Sequence, residues 1–224
     1  MSKFIDVFTS SIGRKIVMSL TGLFLFSFLI IHVSGNTLLF HDDGGEAFNA
    51  YSQFMAHNPI IRTIEILLFA GFILHIIQSL IITIKNRGAR QKSYDTNKAN
   101  QNSNWYSRNM GFFGVVLLIF LIVHLGDYFF ESRFTDEISY DVNGNINMYD
   151  EVAASFKNGY YSAFYIVCMV FLAFHLIHGF QSAFQSLGLR HKMYTQLIRF
   201  VGISLSIIIP ALFAAMPVYF YFKP

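Results

Sequence analysis

The sequence contains few charged residues and almost no cysteine. Asp, Glu, Lys and Arg together make up 13% of the 224 residues, about half of the roughly 25% that soluble domains carry. This shortage, with a hydrophobic fraction of 54%, excludes an ordinary soluble domain and predicts a membrane protein. The lone cysteine, Cys168, excludes a disulfide within the chain and the C-x-x-C-H motif that attaches a cofactor covalently.

What the sequence has instead is five long apolar stretches. A helix of about 20 apolar residues crosses the bilayer core, and helices satisfy their own backbone hydrogen bonds in lipid. No polar stretch is long enough for a second globular domain, so residues 1–224 are predicted to form one membrane-integral domain. The expected fold class is an all-α membrane protein with five transmembrane helices in a bundle, at about 16–40, 60–84, 109–130, 159–186 and 197–222.

Basic residues distinguish the two ends of these helices. Only four lie on the side of the first and third connections, namely Arg62, Arg133, Lys157 and Lys223. Because cytoplasmic connections are enriched in Lys and Arg, the N-terminus is predicted to be cytoplasmic and the C-terminus to lie outside. The twelve basic residues on the predicted cytoplasmic side are Lys3, Arg14, Lys15, Lys85, Arg87, Arg90, Lys92, Lys98, Arg108, Arg190, Lys192 and Arg199.

Four of the five stretches contain a histidine well inside the apolar run. Ionisable side chains in the hydrocarbon layer are costly and typical of functional sites. At 1.5 Å per residue, His32 lies about 24 Å along the first helix, at an outer depth like that of His124 on the parallel third helix. His75 and His175 lie on helices of the opposite direction and so nearer the cytoplasm. Depth therefore pairs His32 with His124 and His75 with His175, about 10–15 Å apart along the membrane normal.

Two histidine pairs are what two six-coordinate haem irons need, with one neutral imidazole above each porphyrin and one below. Two stacked b-type haems at that separation would form an electron path across the bilayer. The pattern thus predicts a membrane cytochrome b. Four unrelated interhelical hydrogen bonds are the alternative, and they do not account for the matched depths.

The inner pair has a second candidate ligand. His178 follows His175 by three residues on nearly the same helix face, so the pattern favours His175 but leaves both open. Gly71 and Ser79 lie one turn to either side of His75. They would leave room for a porphyrin edge, although small residues are also common at ordinary helix contacts, and the glycines alone favour that simpler interpretation.

Short motifs accompany the histidines in three of the spans. In the first span, the run Ser19 to Leu25 contains Thr21, which lies eleven residues before His32. The other motifs are Gly111-Phe112 and Val123-His124-Leu125 in the third span, and His175 to Gly188 with His178-Gly179 in the fourth. With these segments, the five-helix layout and the histidine spacing, the chain resembles the dihaem cytochrome b anchor subunit of succinate dehydrogenase and fumarate reductase. More narrowly, it is similar to the single-polypeptide, two-haem form of bacteria that use menaquinone. The resemblance covers nearly the whole chain, and much of it comes from the five-helix layout and the histidine spacing.

The resemblance implies that His32 and His124 ligate the outer haem and that His75 and His175 ligate the inner haem. In the family the fourth-helix ligand stands thirteen residues before a glycine that closes the helix, here Gly188, which favours His175 over its neighbour. Two soluble partners are also implied on the cytoplasmic face, a flavoprotein with the dicarboxylate site and an iron–sulfur subunit. The location implied is the bacterial cytoplasmic (inner) membrane, with menaquinone as substrate and no nucleic-acid partner.

Quinone chemistry needs a group that holds a proton in a pocket near a haem. Glu65 is the one carboxylate that we expect inside an apolar span, near the outer end of the second helix, with Arg62 three residues before it. We therefore predict Glu65 as the catalytic residue for quinone proton transfer; otherwise it pairs with Arg62 only to anchor the helix end. Glu46 in the outer connection is a second candidate, and an inner site with His178 and Gln78 is a third.

Two other functions would fit part of the pattern. A small permease or channel with a histidine proton relay predicts charged or broken helices near the midplane and an internal repeat, and the sequence shows neither. A cytochrome b subunit of another respiratory enzyme, such as a formate dehydrogenase or nitrate reductase, would share the haem pattern. An optical spectrum of the reduced protein distinguishes a cytochrome b, which has a b-type α-band, from a permease or channel. A flavoprotein that co-purifies with the chain distinguishes the succinate dehydrogenase type from the other cytochrome b subunits.

Overall fold

The structure is a computed structural model that describes residues 10–88, 105–135, 137–189, 191 and 193–224. Helices dominate these residues. A 3₁₀ turn, Thr37–Phe40, follows the first helix, and a π-helical turn, Leu125–Phe130, separates the fifth from the sixth. The helices are α1 (Ser11–Asn36), α2 (Glu46–His57), α3 (Pro59–Gly88), α4 (Trp105–Arg108), α5 (Met110–His124), α6 (Glu131–Phe134), α7 (Met148–Lys157), α8 (Gly159–Ser186) and α9 (Thr195–Phe222).

Five segments of the described chain are long and apolar enough to cross a bilayer, which confirms the expected number of spans. The first begins at residue 11 rather than 16 because the Ser10 side chain accepts a hydrogen bond from the Gly13 N–H and so caps the helix. The third continues beyond residue 130 through the π-helical turn into α6. The five spans are Ser11–Phe40, Pro59–Lys85, Met110–Phe134, Gly159–Ser186 and Thr195–Phe222.

The fourth span, α8, is the central helix of the bundle. It packs against α1, α5 and α9, and α1 also packs against α3. Buried side chains on α1, α8 and α9, among them Phe26, Leu176 and Ile209, form one continuous core. Many large apolar side chains on the spans point outward instead, as lipid rather than water requires.

Two short amphipathic helices, α2 and α7, cover one end of the bundle. Asn49 is 1% exposed; its Nδ2 donates to Asn147 Oδ1 at 3.0 Å, and its Oδ1 accepts from the Tyr149 N–H at 2.9 Å. At the same end Lys223 Nζ donates to the Tyr149 hydroxyl at 2.7 Å. We call this end the C-terminal face and the opposite end the N-terminal face.

Charge differs between the two faces. On the C-terminal face the backbone N–H of Ala47 lowers the pKa of Asp43 by donating to its carboxylate at 3.0 Å. Other acids there are Asp42, Glu46, Glu131, Glu137, Asp141, Asp150 and Glu151. The basic residues of the N-terminal face whose side chains the structure describes are Arg14, Lys15, Lys85, Arg108 and Arg199. The remaining charged side chains used for the predicted orientation lie outside what the structure describes: Lys3, Arg87, Arg90, Lys92, Lys98, Asp136, Arg190 and Lys192.

Candidate functional site

The four predicted intramembrane histidines lie in two pairs. The ring centroids of His32 on α1 and His124 on α5 are 5.9 Å apart. Those of His75 on α3 and His175 on α8 are 6.3 Å apart. In both pairs the rings meet at a steep interplanar angle, 75° and 63°, so they are not stacked face to face. Each pair joins the two helices that the depth argument predicted.

The separation within each pair suits a shared metal. Two metal–nitrogen bonds of about 2 Å, with half an imidazole ring on either side, place two axial ring centroids about 6 Å apart. The observed values, 5.9 and 6.3 Å, match this spacing. Helices pack together without any ligand, so the contact between the helices alone does not indicate a metal. The evidence for a shared metal is that both histidine pairs have nearly the same ring separation.

All four histidines line one cavity of about 1630 Å³ between the spans, which is partly open to the surface. Sites for single small molecules usually measure about 300–1,000 Å³, so this cavity has room for more than one large group. Its walls are mostly apolar and aromatic, including Phe28, Phe120 and Phe180. The cavity therefore provides the packing that a group held without covalent attachment requires.

Small residues open the cavity wall. A Cβ built on Gly114 or Gly179 would meet nothing within 4 Å, and both line the cavity. Ser79 lines it as well, whereas Gly71 packs against Phe24, whose Cδ1 would lie 3.1 Å from an added Cβ. Gly71 is thus a helix-packing residue, and Ser79, Gly114 and Gly179 leave space beside the histidines.

The second nitrogen of each imidazole has different surroundings. His75 Nδ1 lies 3.2 Å from Thr21 Oγ1, which itself donates to the Val17 carbonyl at 2.8 Å. The Asn36 amide nitrogen lies 3.3 Å from His32 Nδ1 and also donates to the His32 carbonyl. Buried His175 Nδ1 has no hydrogen-bond partner among the described residues. An orphaned nitrogen in a cavity wall is consistent with a ligand-binding ring.

His178 also lines the cavity but makes other contacts. Its Nε2 lies 3.1 Å from Ser182 Oγ, and its ring lies 6.1 Å from the Tyr106 ring. The ring opposite His75 is that of His175. The geometry thus favours His175 over His178 as the partner of His75.

Glu65 lines the same cavity and lies between two arginines. Arg62 Nη1 donates to both carboxylate oxygens, at 2.6 and 2.9 Å, and Arg133 Nη2 donates at 3.3 Å. Arg133 also donates to the Ala56 carbonyl. The sequence spacing indicated the Arg62 pair. It could not indicate Arg133, because that residue reaches Glu65 from the end of a different span.

The other two quinone candidates lie differently. Glu46 is exposed in the first turn of α2, where the Asn143 side chain donates to it at 3.2 Å, and it does not line the cavity. Gln78 does not line the cavity either; its Oε1 is buried with no partner among the described residues. Of the carboxylate candidates, Glu65 is therefore the one that faces the cavity.

One expectation from the sequence is wrong. Glu65 is not the one carboxylate within a span, because Asp127 lies in the third, in the π-helical turn directly after His124. Asp127 already fell within the predicted limits of that span. The signal in the sequence that could have identified Asp127 is its position three residues after the predicted ligand His124, on nearly the same face of the helix. Its side chain accepts from the Tyr161 hydroxyl at 2.6 Å, a partner that the sequence did not indicate.

These features define a class of protein: a multi-pass, all-helical membrane protein with two histidine pairs in a mostly apolar cavity between its spans. Over 187 residues, 79% of the chain, the sequence is 30% identical to the succinate dehydrogenase cytochrome b558 subunit of Bacillus subtilis (strain 168), of which the match spans 83%. No family model and no solved structure matches. By this identity and coverage, the chain belongs to the family of succinate dehydrogenase cytochrome b subunits.

Proposed function

We propose that this chain is the cytochrome b membrane anchor of a succinate:quinone oxidoreductase in the bacterial cytoplasmic membrane. It would carry electrons between menaquinone and an iron–sulfur subunit through two b-type haems. The observation that carries the proposal is the pairing of four histidines, from four different spans, in one cavity with ring separations of 5.9 and 6.3 Å. The similarity to a succinate dehydrogenase cytochrome b558 subunit supports the enzyme class.

In this function His32 and His124 would hold the outer haem, and His75 and His175 the inner haem. Each haem would supply one-electron transfer when bound. Thr21 accepts from His75 Nδ1–H once its own hydroxyl proton is engaged, so it orients that ring. The aromatic and apolar walls of the cavity would pack against the bound haems and so limit the access of water to them.

We assign quinone binding to the region of the cavity around Glu65. The two arginines hold the carboxylate in place and present N–H donors beside it. Glu65 would hold a proton at its carboxylate for transfer to or from the quinone oxygen, and the arginines would bind that oxygen as negative charge develops on it. The cavity lining next to Glu65 includes Ile64, which is also exposed on the outer surface of its span, so the quinone ring would enter from the membrane at this point.

The soluble partners would bind at the N-terminal face. Its basic residues indicate the cytoplasmic side, where a flavoprotein with the dicarboxylate site and an iron–sulfur subunit would dock. This chain would have no dicarboxylate activity alone, because its described residues form a membrane bundle with one polar end region.

Replacing single histidines tests the ligand set. In the purified complex, the reduced-minus-oxidised spectrum should show two b-type haems per chain. His75→Ala and His175→Ala should each remove the same haem, and His32→Ala and His124→Ala should each remove the other. His178→Ala and exposed His191→Ala are matched controls that should keep both. A complex without a b-type spectrum would refute the proposal, and loss of a haem in His178→Ala but not in His175→Ala would refute the assignment on α8.

A further inference from the structure

A chain of hydrogen bonds leads from one predicted ligand to a carboxylate inside the bundle. His124 Nδ1 lies 3.3 Å from the Tyr165 hydroxyl. The hydroxyl oxygens of Tyr165 and Tyr161 are 2.8 Å apart, and Tyr161 donates to Asp127 Oδ2 at 2.6 Å. The chain crosses twice between the third and fourth spans and returns to the third only three residues beyond the histidine where it began.

The protons along this chain can point in only one direction when His124 binds a metal. With Nε2 on the metal, Nδ1 carries the proton and must donate to Tyr165. Each tyrosine has one hydroxyl proton, and Tyr161 uses its proton on the carboxylate. Tyr165 must therefore supply the proton between the two hydroxyls. Asp127, as a carboxylate, only accepts, so every bond points away from the imidazole and ends on a negative charge.

The chain is held rigidly. Tyr165 is 6% exposed, and its ring packs against Phe120 and Phe156 at 4.9 and 5.1 Å between centroids. The rings of Tyr161 and Tyr165, one turn apart on α8, lie 4.6 Å apart. Asp127 lies in the π-helical turn, a type of turn that often marks functional sites. A 2.6 Å contact to a carboxylate is typical of a strong, charge-assisted hydrogen bond.

None of the other three histidines has such a connection among the described residues. Nδ1 of His75 meets a hydroxyl whose proton goes to a backbone carbonyl, and Nδ1 of His32 lies next to an amide. Nδ1 of His175 has no partner. The two pairs therefore differ in their outer hydrogen bonding, and the difference is concentrated at His124.

We propose that Tyr165, Tyr161 and Asp127 are positioning residues that fix the His124 imidazole and lower the reduction potential of the haem it binds. This inference rests on the proposed ligation by His124. A hydrogen bond from the second nitrogen of a ligand towards a carboxylate makes the imidazole a stronger donor, and a stronger donor stabilises the oxidised iron. Outer hydrogen bonding of axial ligands is one of the ways a protein sets haem potentials.

Redox titration of the purified complex tests the proposal. Asp127→Asn keeps the size of the side chain but removes the charge, and Tyr161→Phe and Tyr165→Phe interrupt the chain while the rings stay in place. We expect each to keep both haems and to favour the reduced form of one haem about tenfold, an upward shift of about 59 mV for one electron. That haem should be the one absent from His124→Ala. The other haem should keep its potential. Asp127→Glu retains a carboxylate, so it should leave the potential of the affected haem close to that of the unaltered complex.

Two matched variants serve as controls. Tyr160→Phe changes a neighbouring tyrosine that is 93% exposed, and Glu131→Gln removes a carboxylate one turn beyond Asp127. Neither should move either potential. Unchanged potentials in all three test variants, with both haems present, would overturn this inference and leave the ligand assignment intact. Retention of both haems in His124→Ala would instead refute the ligation and the inference together.

Discussion

At the scale of single residues, a histidine is informative here because of what lies opposite its ring. His178 has an imidazole in the same cavity as His175, on the same helix and one turn away. The two differ in that His175 faces His75 and has an unpartnered nitrogen, whereas His178 is bonded to Ser182. The residue type alone therefore does not predict which histidine binds a haem. The presence of a second imidazole ring across the cavity distinguishes His175 as the proposed ligand.

Glu65 differs from an ordinary surface carboxylate because two arginines from different spans donate to it. Replacing it by glutamine leaves those two positive charges without their counter-charge and removes a group that can accept a proton and pass it on. We expect Glu65→Gln to keep both haems and the dye-linked succinate activity of the complex. Quinone-linked turnover should fall about a hundredfold, within the range that general acid–base groups contribute.

The control for that variant is Glu46→Gln, which alters an exposed carboxylate that does not line the cavity. Its quinone-linked turnover should match that of the unaltered complex when both are assayed with the same menaquinone analogue. Full turnover in Glu65→Gln would move the proton-transfer role to another residue. Loss of a haem would indicate a structural role for Glu65 instead.

Much of this site could be predicted from the sequence because helix geometry is regular. A rise of 1.5 Å per residue and alternating helix direction place His32 level with His124, and these two rings do lie together. Arg133 and Tyr161 could not be predicted in the same way. Their contacts with Glu65 and Asp127 depend on how the spans rotate about their own axes, and hydrophobicity all around a lipid-embedded helix leaves little periodicity from which to infer that rotation.

At the scale of helices, the sequence predicted the apolar spans but not the two short helices that cover the C-terminal face. Both α2 and α7 are ten to twelve residues long and contain many polar residues, so their apolar faces become apparent only against the ends of α1 and α9. The π-helical turn was not predicted either. A π-helical turn has one more residue than an α-helical turn, and this difference does not alter the average hydropathy of the span. The turn nevertheless contains Asp127.

Asn49 provides a test of how strongly α2 is tied to α7. Its side chain is almost fully buried and makes two hydrogen bonds to the start of α7. Asn49→Leu would leave the Tyr149 N–H and the Asn147 side chain without these partners. An unsatisfied buried group costs about 1–3 kcal/mol, so we expect a clear decrease in the temperature at which the complex loses its haem absorbance.

The matched variant is Asn143→Leu, at an exposed side chain that also bonds to a residue of α2. It should leave the transition temperature nearly unchanged, because water replaces the lost partner. If the two substitutions lower the transition temperature equally, the burial of Asn49 does not make its hydrogen bonds more stabilising than those of an exposed residue.

At the scale of the whole molecule, charge and structure together predict how the bundle lies in the membrane. Eight described acids lie at the C-terminal face with α2 and α7, while the described N-terminal face carries Arg and Lys. Basic connections remain in the cytoplasm. The proposed outer haem pair, His32 with His124, is the pair nearer the acidic face, so this orientation also decides which haem lies near the soluble subunits.

Cysteine labelling in intact cells measures that orientation directly. The natural Cys168 is 1% exposed and should react little with a membrane-impermeant maleimide. Val142→Cys, in the fully exposed loop before α7, should be labelled from outside the cell, whereas Lys85→Cys, exposed at the end of the second span, should react only after the membrane is opened. The unaltered chain gives the background in both conditions.

Labelling of Lys85→Cys but not of Val142→Cys in intact cells would reverse the topology. The C-terminal face, with its acids and the two covering helices, would then be the docking surface for the soluble subunits, and His32 and His124 would hold the haem next to them.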